Sequence, residues 1–235
     1  MKADPATTEV LAMHGWGCDS RIWQRWAEPV AQRGWQLRCG DRGYGNFPAE
    51  ALAWSASSRQ RLLITHSLGT HLLPDAVWHQ ATRVVLLASF ARFVPAERAG
   101  RSLRYALKEM GQRLENGQSA AVLRDFQRQC AAPNSAAPLA SGWLEPPLTA
   151  AGECRLLADL EHMGRIEALP AAFPIEAPVL IVEAACDHIL PEASRAALRQ
   201  ALPKAEVWTL PNAGHNLEVP NLADQVLSWM GDGLL

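Results

Sequence analysis

Leu62-Leu63-Ile64-Thr65-His66-Ser67-Leu68-Gly69 carries an apolar run into a pentad with serine at its centre. The run has the length and composition of a buried strand, and the pentad places the serine where that strand must turn sharply into a helix. Such a turn brings the two backbones almost into contact, so it asks for small residues two positions before and two after the serine. Gly69 meets the second demand, and Thr65 only approximates the first. A serine that merely caps a helix after an ordinary strand writes a similar pentad. The decision therefore rests on the rest of the chain.

Two further apolar runs end in residues that a serine would need. Val179-Leu180-Ile181-Val182 leads to Asp187, and Val207-Trp208-Thr209-Leu210 leads to Pro211-Asn212-Ala213-Gly214-His215. Asp187 and His215 are 28 residues apart, room for one helix and one strand between them. Upstream, Val10-Leu11-Ala12-Met13 runs into His14-Gly15-Trp16-Gly17. A serine hydroxyl is a weak nucleophile near neutral pH, so the candidate chemistry assigns His215 to take its proton and Asp187 to fix and charge-balance the imidazole. The backbone amides of Leu68 and Trp16 are the candidate oxyanion donors. The Trp16 ring is a candidate wall of an acyl pocket. No metal or organic cofactor is required. Serine, acid, histidine is the chain order of the α/β-hydrolases. Competing groups have weaker positions: His188 adjoins Asp187 on a loop, His66 flanks the serine, His71 and His79 fall in the following helix, Asp41 precedes the serine, and Asp159 lies far from the strand ends.

The whole chain alternates short apolar runs with longer amphipathic ones, which predicts an α/β fold: a mostly parallel sheet of about six strands with helices on both faces. The expected strands are Glu9–Met13, Gln36–Cys39, Arg61–Thr65, Arg83–Ala88, Pro178–Val182 and Ala205–Leu210. The expected helices are Ile22–Gln32, Ser67–Trp78, Pro191–Leu202 and Leu222–Met230. Between about Phe90 and Pro174 no buried strand is evident and helical patterning dominates. The expected organisation is a core from residues 1–90 and 175–235 with a helical lid inserted at 91–174. Ala131–Pro138 reads as a loop between lid helices. From Glu97 to Arg128 seven cations stand against four acids, and Arg101, Arg104 and Lys108 share one helical face. Such a patch suits a solvated helix surface or the steering of an acidic partner.

The 235 residues suit one large α/β domain, and a net charge of −2 gives no sign of nucleic-acid binding. The five cysteines are scattered and show neither disulfide nor zinc spacing. No apolar run is long enough for a membrane span, and Met1–Pro5 lacks the apolar core of a signal peptide. The expectation is a cytoplasmic monomer without nucleic-acid or membrane partners.

These motifs resemble the α/β-hydrolase superfamily over nearly the full length. Within it, the chain is similar to the esterases that cleave pimeloyl-[acyl carrier protein] methyl ester in biotin synthesis. The narrower resemblance rests on His14-Gly15-Trp16-Gly17, the compact size, the arginine-bearing lid, and Asp125-Phe126-Gln127-Arg128-Gln129. It implies a serine carboxylesterase that releases methanol, with Phe126, Gln129 and Trp16 contacting substrate and Arg101, Arg104, Arg124 and Arg128 docking an acidic acyl carrier protein. Cleavage of another small ester or thioester, or ligand binding without turnover, are the alternatives. The chain departs from the family pattern at Thr65, where the elbow usually has glycine. It departs again at Gly40, where the loop Cys39–Gly45 usually has aspartate, and in the spacing of Gln129 from Phe126.

Overall fold

The computed structural model describes residues 7–133 and 141–232. Six strands form one sheet: β1 (Thr7–Met13), β2 (Gln36–Gly40), β3 (Ser58–His66), β4 (Arg83–Leu87), β5 (Val179–Ala184) and β6 (Glu206–Leu210). Their spatial order is β2-β1-β3-β4-β5-β6, and every neighbouring pair is parallel. The described residues form seven α-helices: α1 (Gln24–Gln32), α2 (Asp75–Gln80), α3 (Arg101–Glu115), α4 (Ser119–Ala131), α5 (Ala150–Arg165), α6 (Glu192–Ala201) and α7 (Leu222–Gly231).

Strand alternation divides the apolar residues between two faces. Val10, Ala12, Leu62, Ile64, Val85, Leu180 and Val182 point to the side covered by Trp26 and Val30 of α1 and by Leu222, Val226 and Met230 of α7. Leu11, Met13, Leu63, Val84, Leu86 and Ile181 point to the other, against Val77 and Trp78 of α2 and Leu198 of α6. A third apolar cluster joins α4 and α5 to Trp16, Tyr44, Leu68 and Phe90, above the carboxyl ends of the strands. Helices α3, α4 and α5 all lie between β4 and β5 in the chain. Of the expected loop Ala131–Pro138, residues 134–138 lie outside the described residues.

Two local readings need correction. The expected helix Ser67–Trp78 is two pieces, a 3₁₀ turn at Ser67–His71 and then α2, with Pro74 in extended backbone between them. Proline disfavours helical backbone at its predecessor and donates no amide, and here the chain breaks at Pro74 and restarts, whereas α1 accommodates Pro29 within its span. Strand β5 continues past Val182 through Glu183 and Ala184, both buried. Arg199 of α6 holds both oxygens of the Glu183 carboxylate, at 2.9 and 2.6 Å, which lets a charge sit inside a central strand.

At the carboxyl edge of the sheet, the turns after β1 and β3 approach closely at Gly69. A Cβ there would stand 2.5 Å from the Met13 carbonyl oxygen and 2.7 Å from that of His14, neither of which can swing aside. Gly69→Ala is expected to cost about 1–3 kcal/mol of stability by overpacking, and to slow any reaction at Ser67. A thermal midpoint and turnover equal to the parent's would show that the two turns separate freely.

Candidate active site

Ser67 sits at the end of β3 with φ of 52°, in the left-handed region that side chains other than glycine seldom occupy. The strain projects the serine from the turn, and a chain of hydroxyls holds the turn in place. Thr65 and Thr70 share a hydrogen bond of 2.7 Å, and Thr70 and Ser89 one of 2.9 Å. The Ser89 hydroxyl then donates to the Ser67 carbonyl at 3.3 Å. Threonine at the first elbow position is therefore accommodated by giving its hydroxyl a buried partner. Thr70 and Ser89 had no visible role in the sequence, since each is a common residue that acquires meaning only beside Thr65.

The Ser67 hydroxyl lies 3.0 Å from His215 Nε2, and His215 Nδ1 lies 2.8 Å from Asp187 Oδ2. A carboxylate on Nδ1 fixes the proton there, so Nε2 carries the lone pair that accepts from the serine. The Asp187 side chain is fully buried, which alone would raise its pKa. His215 and the amides of Ile189 and Leu190, both 2.8 Å from Oδ1, outweigh that and hold the carboxyl below its usual range. The three residues come from the ends of three different strands, and the parallel sheet brings those ends to one edge.

The turn after β1 lies alongside. A Cβ on Gly15 would come within 3.0 Å of the Ser67 Cβ and 3.1 Å of the His66 carbonyl oxygen, so the Gly15–Trp16 peptide borders the serine. Leu68 is the second residue of the 3₁₀ turn, where the first amides have no partner within their own helix. The amides of Trp16 and Leu68 therefore stay the candidate oxyanion donors, and one such donor can stabilise a tetrahedral oxyanion by about 3 kcal/mol. The arrangement can carry out acyl transfer: Ser67 attacks a carbonyl as His215 takes its proton, the leaving group receives that proton, and water activated by His215 clears the acyl group.

The Trp16 ring donates from Nε1 to the Leu156 carbonyl at 2.8 Å and meets the Phe126 ring edge to face, with centroids 4.8 Å apart. Phe126 also lines a cavity of about 580 Å³ between α3, α4 and the loop after β5, walled by Phe93, Leu103, Leu107 and Met110. Gln129 is exposed at its rim, whereas Gln127 is buried and donates to the Leu144 carbonyl at 2.7 Å. Among the four arginines, Arg101 and Arg124 are exposed and their side chains make no hydrogen bond or ion pair among the described residues, whereas Arg104 donates to the Pro95 and Glu97 carbonyls. Arg128 shares Asp125 with Arg113. His188 is exposed, and His66 donates from Nε2 to the His215 carbonyl at 3.0 Å. Asp41 accepts from the Gly43 and Ser20 amides, and Asp159 pairs with Arg42, so neither acid competes for His215. At Gly40 in the Cys39–Gly45 segment, an added Cβ would meet Met13 Sδ at 2.7 Å and Leu52 Cγ at 3.0 Å, so a larger residue there would require these side chains to shift. Among the described residues no group of three or more histidines, cysteines or acids is placed to hold a metal ion. No helix there is long and apolar enough to cross a membrane.

A family model of the alpha/beta hydrolases matches residues 10–227. The chain belongs to the alpha/beta hydrolase family. No curated protein sequence matches it. This alpha/beta hydrolase is similar in fold to a thermophilic esterase from Thermogutta terrifontis, at 16% identity and a TM-score of 0.67, over 96% of this chain and 90% of that one. A hydrolase from Oleispira antarctica gives 13% identity and a TM-score of 0.68 over 97% and 92%. An esterase from Exiguobacterium antarcticum gives 14% and 0.65 over 96% and 92%.

Burial keeps three histidines of this alpha/beta hydrolase neutral: His66 at about 3, His71 at about 4, and His14 also lowered. Unfolded, each titrates near 6.5. As pH falls below that value the unfolded chain takes up protons that the folded chain refuses, so stability is complete above it and declines toward pH 4. The slope is about 1.4 kcal/mol per pH unit for each histidine. Denaturant midpoints measured at pH 7, 6 and 5 are expected to fall in that order. His71→Gln, which retains a donor for the Phe90 carbonyl that His71 now meets at 2.9 Å, should flatten the decline. Equal midpoints at pH 7 and 5 would contradict it.

Proposed function

We propose that the protein is a serine carboxylesterase whose substrate is the methyl ester of a dicarboxylic acyl chain on acyl carrier protein. The pimeloyl ester of biotin synthesis is the instance implied by the sequence resemblance. The observation that carries the hydrolytic reading is the unbroken relay from Ser67 through His215 to a buried, ionised Asp187. A hydroxyl, a correctly protonated imidazole and two flanking amides are the parts that ester hydrolysis requires.

The finer reading draws support from the helices between β4 and β5. The cavity beside Phe126 falls within the size range of small-ligand sites, about 300–1,000 Å³, and its walls are mainly apolar with Arg113, Arg128 and Gln129 at the rim. An alkyl chain would occupy it, with the insertion serving as a lid. The docking face for an acidic carrier would comprise Arg101, Arg104, Arg124 and Arg128. Arg101 and Arg124 offer the most accessible charge, since Arg104 and Arg128 already have partners in the chain. In this reading the enzyme acts as a monomer in the cytoplasm, where it meets the carrier.

Ser67→Ala should reduce ester turnover by about 10⁴-fold or more, measured on a p-nitrophenyl ester. Retained turnover would remove the nucleophile assignment. Raising salt from 50 to 500 mM should sharply raise KM for the carrier-borne ester, because surface charges are screened over about 10 Å at 0.1 M salt and less above it. The KM for a soluble methyl ester should stay nearly constant, and an equal response of the two substrates would overturn the carrier assignment.

A further inference from the structure

We propose that Asp159 is a positioning residue for the oxyanion donor, acting from α5 through Arg42 and His14 on the Gly15–Trp16 peptide. The proposal rests on the serine-esterase reading and concerns a residue outside the triad. Asp159 is 3% exposed, and all its visible partners are donors. Arg42 grips it at two points, Nε to Oδ2 at 2.6 Å and an η nitrogen to Oδ1 at 2.7 Å, and the Tyr44 hydroxyl donates to Oδ2 at 2.7 Å. A two-point guanidinium contact fixes direction as well as distance, so the Arg42 side chain anchors its own backbone.

The Arg42 amide donates to His14 Nε2 at 2.9 Å. An amide can only donate, so Nε2 carries a lone pair and the ring proton of the neutral, fully buried His14 resides on Nδ1. From there it donates to the Gly15 carbonyl at 2.8 Å. The Gly15–Trp16 bond is trans, and in a planar trans peptide the carbonyl and the amide point in opposite directions. Holding the Gly15 oxygen on His14 therefore aims the Trp16 amide away from His14. Helix α5 holds the same residue a second time, because the Leu156 carbonyl, one turn before Asp159, accepts from the Trp16 indole at 2.8 Å. The helix is thus fixed to both the side chain and, through the relay, the backbone of the residue that presents the donor. The sequence does not reveal this link, since 117 residues separate Arg42 from Asp159.

The test is Asp159→Asn in the full-length enzyme, assayed with p-nitrophenyl butyrate and with a trifluoromethyl ketone that adds to the serine to form an oxyanion. Removing an oxyanion donor outright costs about 100- to 1,000-fold, and a donor that is present but misdirected loses part of that. Asp159→Asn should lower kcat/KM by about tenfold or more through kcat, with KM changed less than about twofold, and weaken the ketone by the same factor. His14→Asn, which keeps a donor where Nδ1 was, should retain more activity than His14→Leu. In the His14→Leu background Asp159→Asn should cost little further, because the relay is already cut. Should Asp159→Asn fail to fold, Arg42→Lys keeps the ion pair, loses the two-point grip, and should weaken the ketone in the same direction. A folded Asp159→Asn enzyme with parental kcat and ketone affinity, or an Arg42→Lys enzyme with unchanged ketone affinity, would reduce Asp159 to an anchor for α5. Absence of Ser67-dependent turnover in the parent would instead overturn the esterase reading itself.

Discussion

The geometry of this site depends on one backbone contact. The turn after β3 and the turn after β1 touch without a layer of side chains between them, at Gly69 against the Met13 and His14 carbonyls and at Gly15 against Ser67 and His66. Because Thr65 is paired in register with Met13 within the sheet, the two turns leave their strands at the same level. The backbones of Ser67 and Gly15 are consequently held together by strand spacing, and side chains have only to set the final directions of the groups they carry. Sheet spacing is stiff, and buried apolar residues press on both faces. A left-handed serine costs about 1–3 kcal/mol in such a position, and it persists because the surrounding contacts leave the turn no other path.

What was readable in the sequence follows from what is local. Each member of the triad stands just beyond a run of apolar β-formers, so strand ends could be located and their loops searched for chemistry. The parallel order followed from the alternation of such runs with amphipathic stretches. Readings failed where a distant partner decides the local state. Glu183 looked like a strand terminator because Arg199 on α6 is not its neighbour in the chain, and Thr65 looked like a defect because Thr70 and Ser89 are assigned to it only by folding. Gln129 was singled out by its place after Phe126, and helix rotation leaves it exposed while Gln127 is buried. Prolines carry the same ambiguity: Pro74 divides the expected Ser67–Trp78 helix, while Pro29 lies inside α1 without ending it.

The burial of neutral histidines around the triad has an electrostatic consequence. During acyl transfer His215 must become an imidazolium, and that charge is stabilised by Asp187 only if no second cation forms beside it. The His66 ring centroid is 5.2 Å from that of His215, close enough that a proton on both would be strongly unfavourable in a medium of low polarity. Burial settles the competition first by keeping His66 neutral, and the positive charge of His215 acts in the same direction. The His66 Nε2 proton is given instead to the carbonyl of His215, which ties the loop bearing the base to the turn bearing the nucleophile. A residue at the variable position of the elbow thus supplies a dipole where a charge would interfere. The insertion braces the same loop from the other side: the Cys130 carbonyl at the end of α4 accepts from the Asn216 amide at 3.1 Å, and a Cβ on Gly214 would stand 2.1 Å from the Ala132 carbonyl oxygen. With α4 against the base and α5 against the oxyanion donor, these two helices belong to the catalytic body. Helix α3 has no buried residue and packs on both of them from outside.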